Sequence, residues 1–266
     1  MTYCVGLNLR EGLVMLADTR TNAGVDHIAT YGKMHVVEKK GERVITLMTS
    51  GNLAVSQSVI NLLSEGVKLD GKLETLETVP SMFRAAQLVG KAVREVFSID
   101  AAAMQAQNVS FDVSVLLGGQ IKKRDLRLFQ IYPAGNFIES TPETPFLQIG
   151  EHKYGKPILD RAVNYDTPVL DGVKLALVSM DSTLRSNLSV GMPIDLLVYR
   201  RDALELELRR RITEEDPYFQ MIRQRWSDAL RTAYRAIPQP NWPTTNLPTA
   251  PERAERKKPV RPAKRT

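Results

Sequence analysis

The second residue is where chemistry can be assembled from the fewest parts. Thr2 directly follows the initiator methionine, and a small side chain there permits removal of that methionine. A hydroxyl and a free α-amine then sit on one residue. An amine of ordinary pKa about 8 can take the proton of its own Oγ, directly or through water, so nucleophile and base coincide. A threonine at this position also serves simply as a stable chain start, so its neighbours must decide. Asp18 ends the run Leu13-Val14-Met15-Leu16-Ala17, where a carboxylate can hold a nearby ammonium charged. Lys33 follows Gly32 at the start of a later run. Paired with Asp18, its charge would lower the pKa of the Thr2 hydroxyl and amine. Gly51 stands where a strand-like run gives way to a helical pattern, so its N–H is outside the helix ladder and can face a developing oxyanion. Taken singly, these three read as a turn residue, a solvated loop lysine and a glycine used for backbone freedom.

The elements that must position them begin with a hairpin. Tyr3 to Leu9 is strand-like, Arg10-Glu11-Gly12 is a turn, and Leu13 to Ala17 is a second strand. Residue 2 then faces a position between 19 and 21, and Asp18 lies roughly 3 to 10 Å along the strand from that partner at ~3.3 Å per residue. Both runs are too apolar for a surface sheet. Strands are expected again at Met34 to Val37 and Arg43 to Met48. After Ser50-Gly51-Asn52 the period changes, with Val55, Val59, Leu62 and Leu63 marking a helix that ends near Gly66. A longer helix spans about 79–106, with Met82, Ala86, Val89, Val93 and Phe97 as its buried stripe. Strands follow at 110–117, 127–132, 136–138 and 146–149, helices at 156–163 and 173–184, and strands at 194–199 and 204–208. Strands grouped on either side of paired helices suggest two packed sheets with helices on both outer faces. A last helix over about 215–236 carries Phe219, Ile222, Trp226, Leu230 and Tyr234 on one face, packed on its own domain or on a neighbouring subunit.

The chain of 266 residues carries a formal charge of +6, yet residues 251–266 hold seven Lys or Arg against two Glu. That appendage supplies nearly all of the excess, so no nucleic-acid-binding fold is expected. With seven prolines after Ile237, residues 237–266 are expected to be a disordered basic tail. Cys4, the single cysteine, reads as a small buried hydrophobe. No signal-peptide pattern and no run of ~18 apolar residues is present, which points to the cytoplasm and to no membrane contact. His27, His35 and His152 have no serine at a strained elbow beside them to form a triad.

Thr2-Tyr3-Cys4-Val5-Gly6, Leu16-Ala17-Asp18-Thr19-Arg20, Gly32-Lys33 and Thr49-Ser50-Gly51 resemble the proteasome β-subunit pattern over about residues 2–212. Within that family the chain looks most similar to the bacterial ancestral β-subunit (Anbu) branch. The likeness is carried by the YCVGL start, the segment from Ser179-Met180-Asp181-Ser182 to Ser189-Val190-Gly191, and Asp216-Pro217-Tyr218-Phe219. The resemblance implies an α+β fold, the four-layer αββα sandwich of N-terminal-nucleophile (Ntn) hydrolases. It also implies threonine-type hydrolysis of a peptide or amide without metal or organic cofactor, and self-assembly into a ring or open helical turn. Whether an ATPase partner feeds it is left open. Carried over by position, Thr2 is the nucleophile, Asp18 and Lys33 its electrostatic partners, and Gly51 the oxyanion donor. The supporting Asp and Ser fall among Asp181, Ser182, Ser186 and Ser189, with Asp181 and Ser186 preferred. Two positions depart from the family: Asn22 stands where a Thr usually lies beside the substrate backbone, and Glu151 replaces a Ser that often supports the amine. These departures keep a narrower small-amide substrate in view, and beside it a scaffold whose site is vestigial.

Overall fold

The computed structural model describes residues 2–22 and 28–241. Met1, His27 and residues 242–266, which include most of the expected disordered tail, lie outside the described residues. The chain divides into two units, Met1–Asp228 and Ala229–Thr266.

The chain opens with β1 (Tyr3–Leu9), β2 (Gly12–Asp18), β3 (Arg20–Asn22), β4 (Ile28–Thr30), β5 (Met34–Lys39) and β6 (Arg43–Gly51). Next come α1 (Leu53–Glu65), β7 (Val67–Leu69), β8 (Lys72–Glu74) and α2 (Met82–Ala106). Four strands follow: β9 (Val113–Ile121), β10 (Arg127–Ile131), β11 (Phe137–Glu139) and β12 (Phe146–Gly150). The remaining elements are α3 (Lys156–Ala162), α4 (Val169–Ser186), β13 (Ile194–Arg200), β14 (Leu208–Ile212) and α5 (Pro217–Ala236).

Two five-stranded antiparallel sheets form the centre, ordered β12-β1-β2-β13-β14 and β11-β10-β9-β6-β5. Strand alternation assigns each sheet two buried faces. On β1 and β2, Tyr3, Val5, Leu7, Val14 and Leu16 pack with apolar residues of α3, α4 and α5. Their neighbours Cys4, Leu13, Met15 and Ala17 turn the other way and meet Met48, Leu116 and Leu128 of the second sheet. The outer face of that second sheet, including Ile45, Leu47, Val115 and Phe129, is covered by α1 and α2. The result is the four-layer αββα sandwich, with β1 and β2 at the chain start buried on both sides.

Local signals account for most of the boundaries. Asn52 caps α1 by accepting from the N–H groups of Ala54 and Val55, and Ser81 caps α2 by accepting from Arg84 N. Helix α2 therefore starts at Met82 rather than near 79. Of its expected stripe, Met82, Ala86, Val89 and Val93 are buried, whereas Phe97 is half exposed and Val96 takes its place. Helix α4 starts directly after Pro168, earlier than its apolar period indicates. The final strand lies at Leu208–Ile212 instead of 204–208, because Asp202 and Leu204 adopt left-handed backbone angles and delay pairing. The short hairpins β3–β4 and β7–β8 carry no sequence period long enough to announce them. In α5, Phe219 and Ile222 are buried, while Leu230 and Tyr234 are exposed. No helix among the described residues is long and apolar enough to cross a membrane.

Candidate active site

The β1–β2 register pairs Cys4 with Ala17, and two steps further it sets residue 2 opposite residue 19. That places Asp18 at the base of the chain start. Its Oδ1 accepts from the Tyr3 N–H at 3.0 Å and from Lys33 Nζ at 2.6 Å. Its Oδ2 accepts from the N–H groups of Arg20 and Gly191, each at 3.2 Å. Lys33 Nζ also donates to the Arg20 carbonyl at 2.6 Å. Asp18 is fully buried and Lys33 is 5% exposed. Burial pushes the Asp18 carboxyl above its ordinary range, against the pull of the Lys33 charge and of the Tyr3 and Gly191 N–H groups. An ion pair held this far from water survives only because each remaining lone pair is engaged.

Thr2 is itself almost buried. Its carbonyl accepts from Glu151 N at 2.7 Å, continuing the β1–β12 ladder past the Tyr3–Gly150 pair. Gly150 sits at φ +80°, and a Cβ there would overlap the Thr2 carbonyl. The strand therefore approaches Thr2 this closely only with glycine. On the other side, Gly51 ends β6 at φ +104°, where a Cβ would overlap the Asp112 carbonyl. Thr49 N, which points along the same sheet edge as Gly51 N, donates to the Lys33 carbonyl at 3.1 Å. Strand β5 begins only at Met34, so beyond Thr49 that edge has no partner strand for the Gly51 N–H. Thr2, Lys33, Thr49, Ser50 and Gly51 line one cavity of about 310 Å³, joined by Thr21 and Asn22 from β3.

Thr2, Lys33 and Gly51 thus line one cavity, with Asp18 behind Lys33, and the comparisons identify the frame that holds them. The family model described as proteasome subunit matches residues 2–198. The chain belongs to the proteasome subunit family. Its structure aligns with Anbu (ancestral beta-subunit) from Yersinia bercovieri at TM-score 0.82 and 50% identity, covering 89% of this chain and 97% of that one. It aligns with the helical assembly of the Anbu complex from Pseudomonas aeruginosa at TM-score 0.84 and 50% identity, covering 92% and 100%. The proteasome subunit beta 2 of Pyrobaculum calidifontis is 25% identical over 207 residues, 76% of this chain and 91% of its own. Half identity over nine-tenths of the length bears out the Anbu branch, and with it the proteasome-like Ntn-hydrolase fold.

Not every position carried over from the proteasome family lies at the cavity. Asp181 is buried on α4, where its carboxylate takes Arg185 Nε at 3.1 Å and Arg223 Nε of α5 at 2.8 Å. Ser186 is exposed at the end of α4. Neither lines the cavity, because helical spacing turns Asp181 toward α5 and leaves Ser186 in solvent. Of the four alternatives, Ser189 touches a cavity residue, its carbonyl accepting from Asn22 Nδ2 at 3.3 Å. Glu151 reaches Thr2 through its backbone, while its side chain is 3.6 Å from Lys153 Nζ.

Two contributors had no sequence signal: the Gly191 N–H and the Arg20 carbonyl reach the pair only through pairing of β13 with β2 and the turn into β3. Cys4 is buried between the sheets, and burial pushes its thiol pKa up, as fits a packed, inert side chain. Among the described residues no cluster of three or more His, Cys, Asp or Glu could hold a metal.

Proposed function

We propose that this proteasome-family chain is a threonine-type peptidase or amidohydrolase that acts through Thr2 after removal of Met1. The reading is carried by one observation: Thr2, Lys33 and Gly51 line a single cavity, and behind it Lys33 is paired with the buried Asp18. Thr2 Oγ attacks an amide carbonyl while its proton passes to the Thr2 α-amine, directly or through one water. The Lys33 ammonium, paired with Asp18 and held by the Arg20 carbonyl, lowers the cost of the negative charge forming beside it. The Gly51 N–H donates to the carbonyl oxygen as that oxygen becomes an oxyanion. Collapse of the tetrahedral species breaks the C–N bond, and the α-amine gives its proton to the leaving nitrogen. The same amine then activates the water that releases the acyl group from Oγ. Asp181 and Ser186 have no part in these steps.

Action within a multi-subunit assembly belongs to the same proposal, supported by the helical assembly of the Pseudomonas aeruginosa Anbu complex at 50% identity. The test is the intact mass before and after a peptide epoxyketone, a warhead that captures the hydroxyl and the α-amine of one residue. The expected result is a chain lacking Met1 that takes up one equivalent, with no uptake by Thr2→Ala. Retained Met1, or an adduct that persists in Thr2→Ala, overturns the proposal. An unlabelled chain that still assembles would be the vestigial scaffold.

A further inference from the structure

Removal of Met1 turns the reacting residue into the end of a chain. A terminal residue frays unless contacts beyond its single covalent tether hold it down. The chemistry tolerates little of this, because a misplacement of about 1 Å can cost on the order of a hundredfold in rate. The covalent tether of Thr2 is Tyr3, so whatever fixes Tyr3 helps to fix the nucleophile. We infer that the Tyr3 hydroxyl is a positioning group, a latch that holds the Thr2 end of β1 to β12, to α4 and to the turn before α3. The inference rests on the reading of Thr2 as nucleophile for its kinetic consequence alone.

Tyr3 is fully buried, with its ring packed among apolar residues of α3 and α4. Its Oη accepts from Gln148 Nε2 of β12 at 2.5 Å and lies 2.5 Å from Ser179 Oγ of α4. An amide nitrogen can only donate, so the phenol proton remains available for Ser179 Oγ. Burial pushes the phenol pKa well above the usual tyrosine range, and the group therefore stays a donor. Phenylalanine would fill nearly the same volume, so packing alone does not call for the oxygen. A hydroxyl at such depth is tolerated because it is bonded, and its removal would leave Gln148 and Ser179 each short of a partner.

The turn between β12 and α3 closes over the same point. A Cβ on Gly155 would overlap both Ser179 Oγ and Tyr3 Oη, so the main chain comes this close to the hydroxyls only as glycine. The other end of that turn carries Glu151, whose N–H donates to the Thr2 carbonyl at 2.7 Å. One phenol thus joins the strand paired with the chain start, the helix packed on it, and the turn whose first N–H is bonded to Thr2 itself. From the β2 side, Asp18 already accepts from the Tyr3 N–H at 3.0 Å. The hydroxyl is the matching anchor on the side of α4.

Tyr3→Phe tests this, since it keeps the ring and removes the oxygen. In a first measurement, labelling of the full chain by a peptide epoxyketone is followed by intact mass over a range of inhibitor concentrations, which separates the limiting rate from the half-saturating concentration. The limiting rate is expected to fall at least about tenfold, with half-saturation unchanged within about twofold, because the latch acts on the nucleophile and not on the cavity. Ser179→Ala, which removes the bond from the α4 side, is expected to reproduce the loss, and the double variant to be no slower than the slower single one. An unchanged limiting rate, a rise in half-saturation alone, or losses that multiply in the double variant overturn the inference. In a second measurement, backbone hydrogen exchange of the segment 2–9 is compared between the parent chain and Tyr3→Phe by mass spectrometry. Exchange there is expected to be about tenfold faster in the variant, while β13 keeps its protection. Equal exchange overturns the latch without reference to catalysis. Faster exchange in a variant whose parent takes up no label would instead reject Thr2 as nucleophile and leave the latch in place.

Discussion

Asp18 and Asp181 are both buried carboxylates held by cations, yet they belong to different kinds of interaction. Asp18 pairs with a lysine whose side chain is 6% exposed, and three backbone N–H groups complete its shell. Asp181 pairs with Arg185 and Arg223, whose side chains are 52% and 36% exposed. The first is a closed charge pair beside a cavity, where weak screening lets each charge act on whatever reacts next to it. The second ties α4 to α5 with guanidinium groups that water still reaches. Burial of a carboxylate therefore does not by itself mark a site; burial of its partner beside open space does.

Breaking each pair from the cation side should expose this difference most strongly. Lys33→Met leaves Asp18 alone in the interior and should cost about 3–5 kcal/mol of stability, because the surviving charge has no replacement partner. Arg223→Ala leaves Asp181 with Arg185 and with access to water, for a cost on the order of 1 kcal/mol. Urea unfolding of the two variants against the parent chain gives both numbers. Equal losses would mean that the two pairs are equivalent and that the site carries no special electrostatics. Epoxyketone labelling should vanish in Lys33→Met and persist in Arg223→Ala.

Acidity gives a second, smaller separation. Burial raises the Asp18 pKa above its ordinary value, so the native state holds that proton more tightly than the unfolded chain does. The contribution of Asp18 to stability is thus greatest below its ordinary pKa and is lost as pH rises through the raised native value. Measured against Asp18→Asn, the parent chain should lose relative stability across that window as pH increases. A difference that stays flat with pH would contradict the assignment. The same protonation removes the negative partner of Lys33, so Thr2 labelling should fall on the acid side at a higher pH than an ordinary aspartate would give.

The contrast also explains which parts of the site were legible from residues alone. Asp18 could be placed because a hairpin is local: the turn at residues 10–12 and the alternation of β1 and β2 fix what faces Thr2. Gly51 was equally readable, since the change from strand to helix period falls directly beside it and Asn52 supplies the cap. Lys33 was drawn to Asp18 by charge alone, and the structure closes that pair at 2.6 Å. Asp181 came from the family resemblance, where four neighbouring residues compete for the supporting positions and nothing says what lies opposite each. For Asp181 that partner is Arg223, and nothing near Asp181 in the sequence announces it. The Gly191 N–H, 173 residues from Asp18, was unreadable for the same reason: only pairing of β13 with β2 brings it there. Four layers were legible because strands buried on both faces need helices outside, whereas β3–β4 and β7–β8 are too short to show a period.

The smallest effect separates the two arginines of Asp181. Arg185 lies one helical turn after it on α4 and is half exposed, an i,i+4 pair whose cation stays in water while the carboxylate is buried. Arg185→Ala should therefore cost roughly 0.3–0.5 kcal/mol, and most of that should disappear in high salt. Arg223 spans two helices, is less exposed and also sits over the Phe219 ring, with 5.7 Å to the centroid. Its removal takes away packing as well as charge, so salt should recover less of the loss. Melts of both variants at low and high ionic strength measure the difference. If Arg185→Ala proves the more damaging and resists salt, Asp181 is buried as deeply in effect as Asp18, and exposure of the partner does not distinguish a brace from a site.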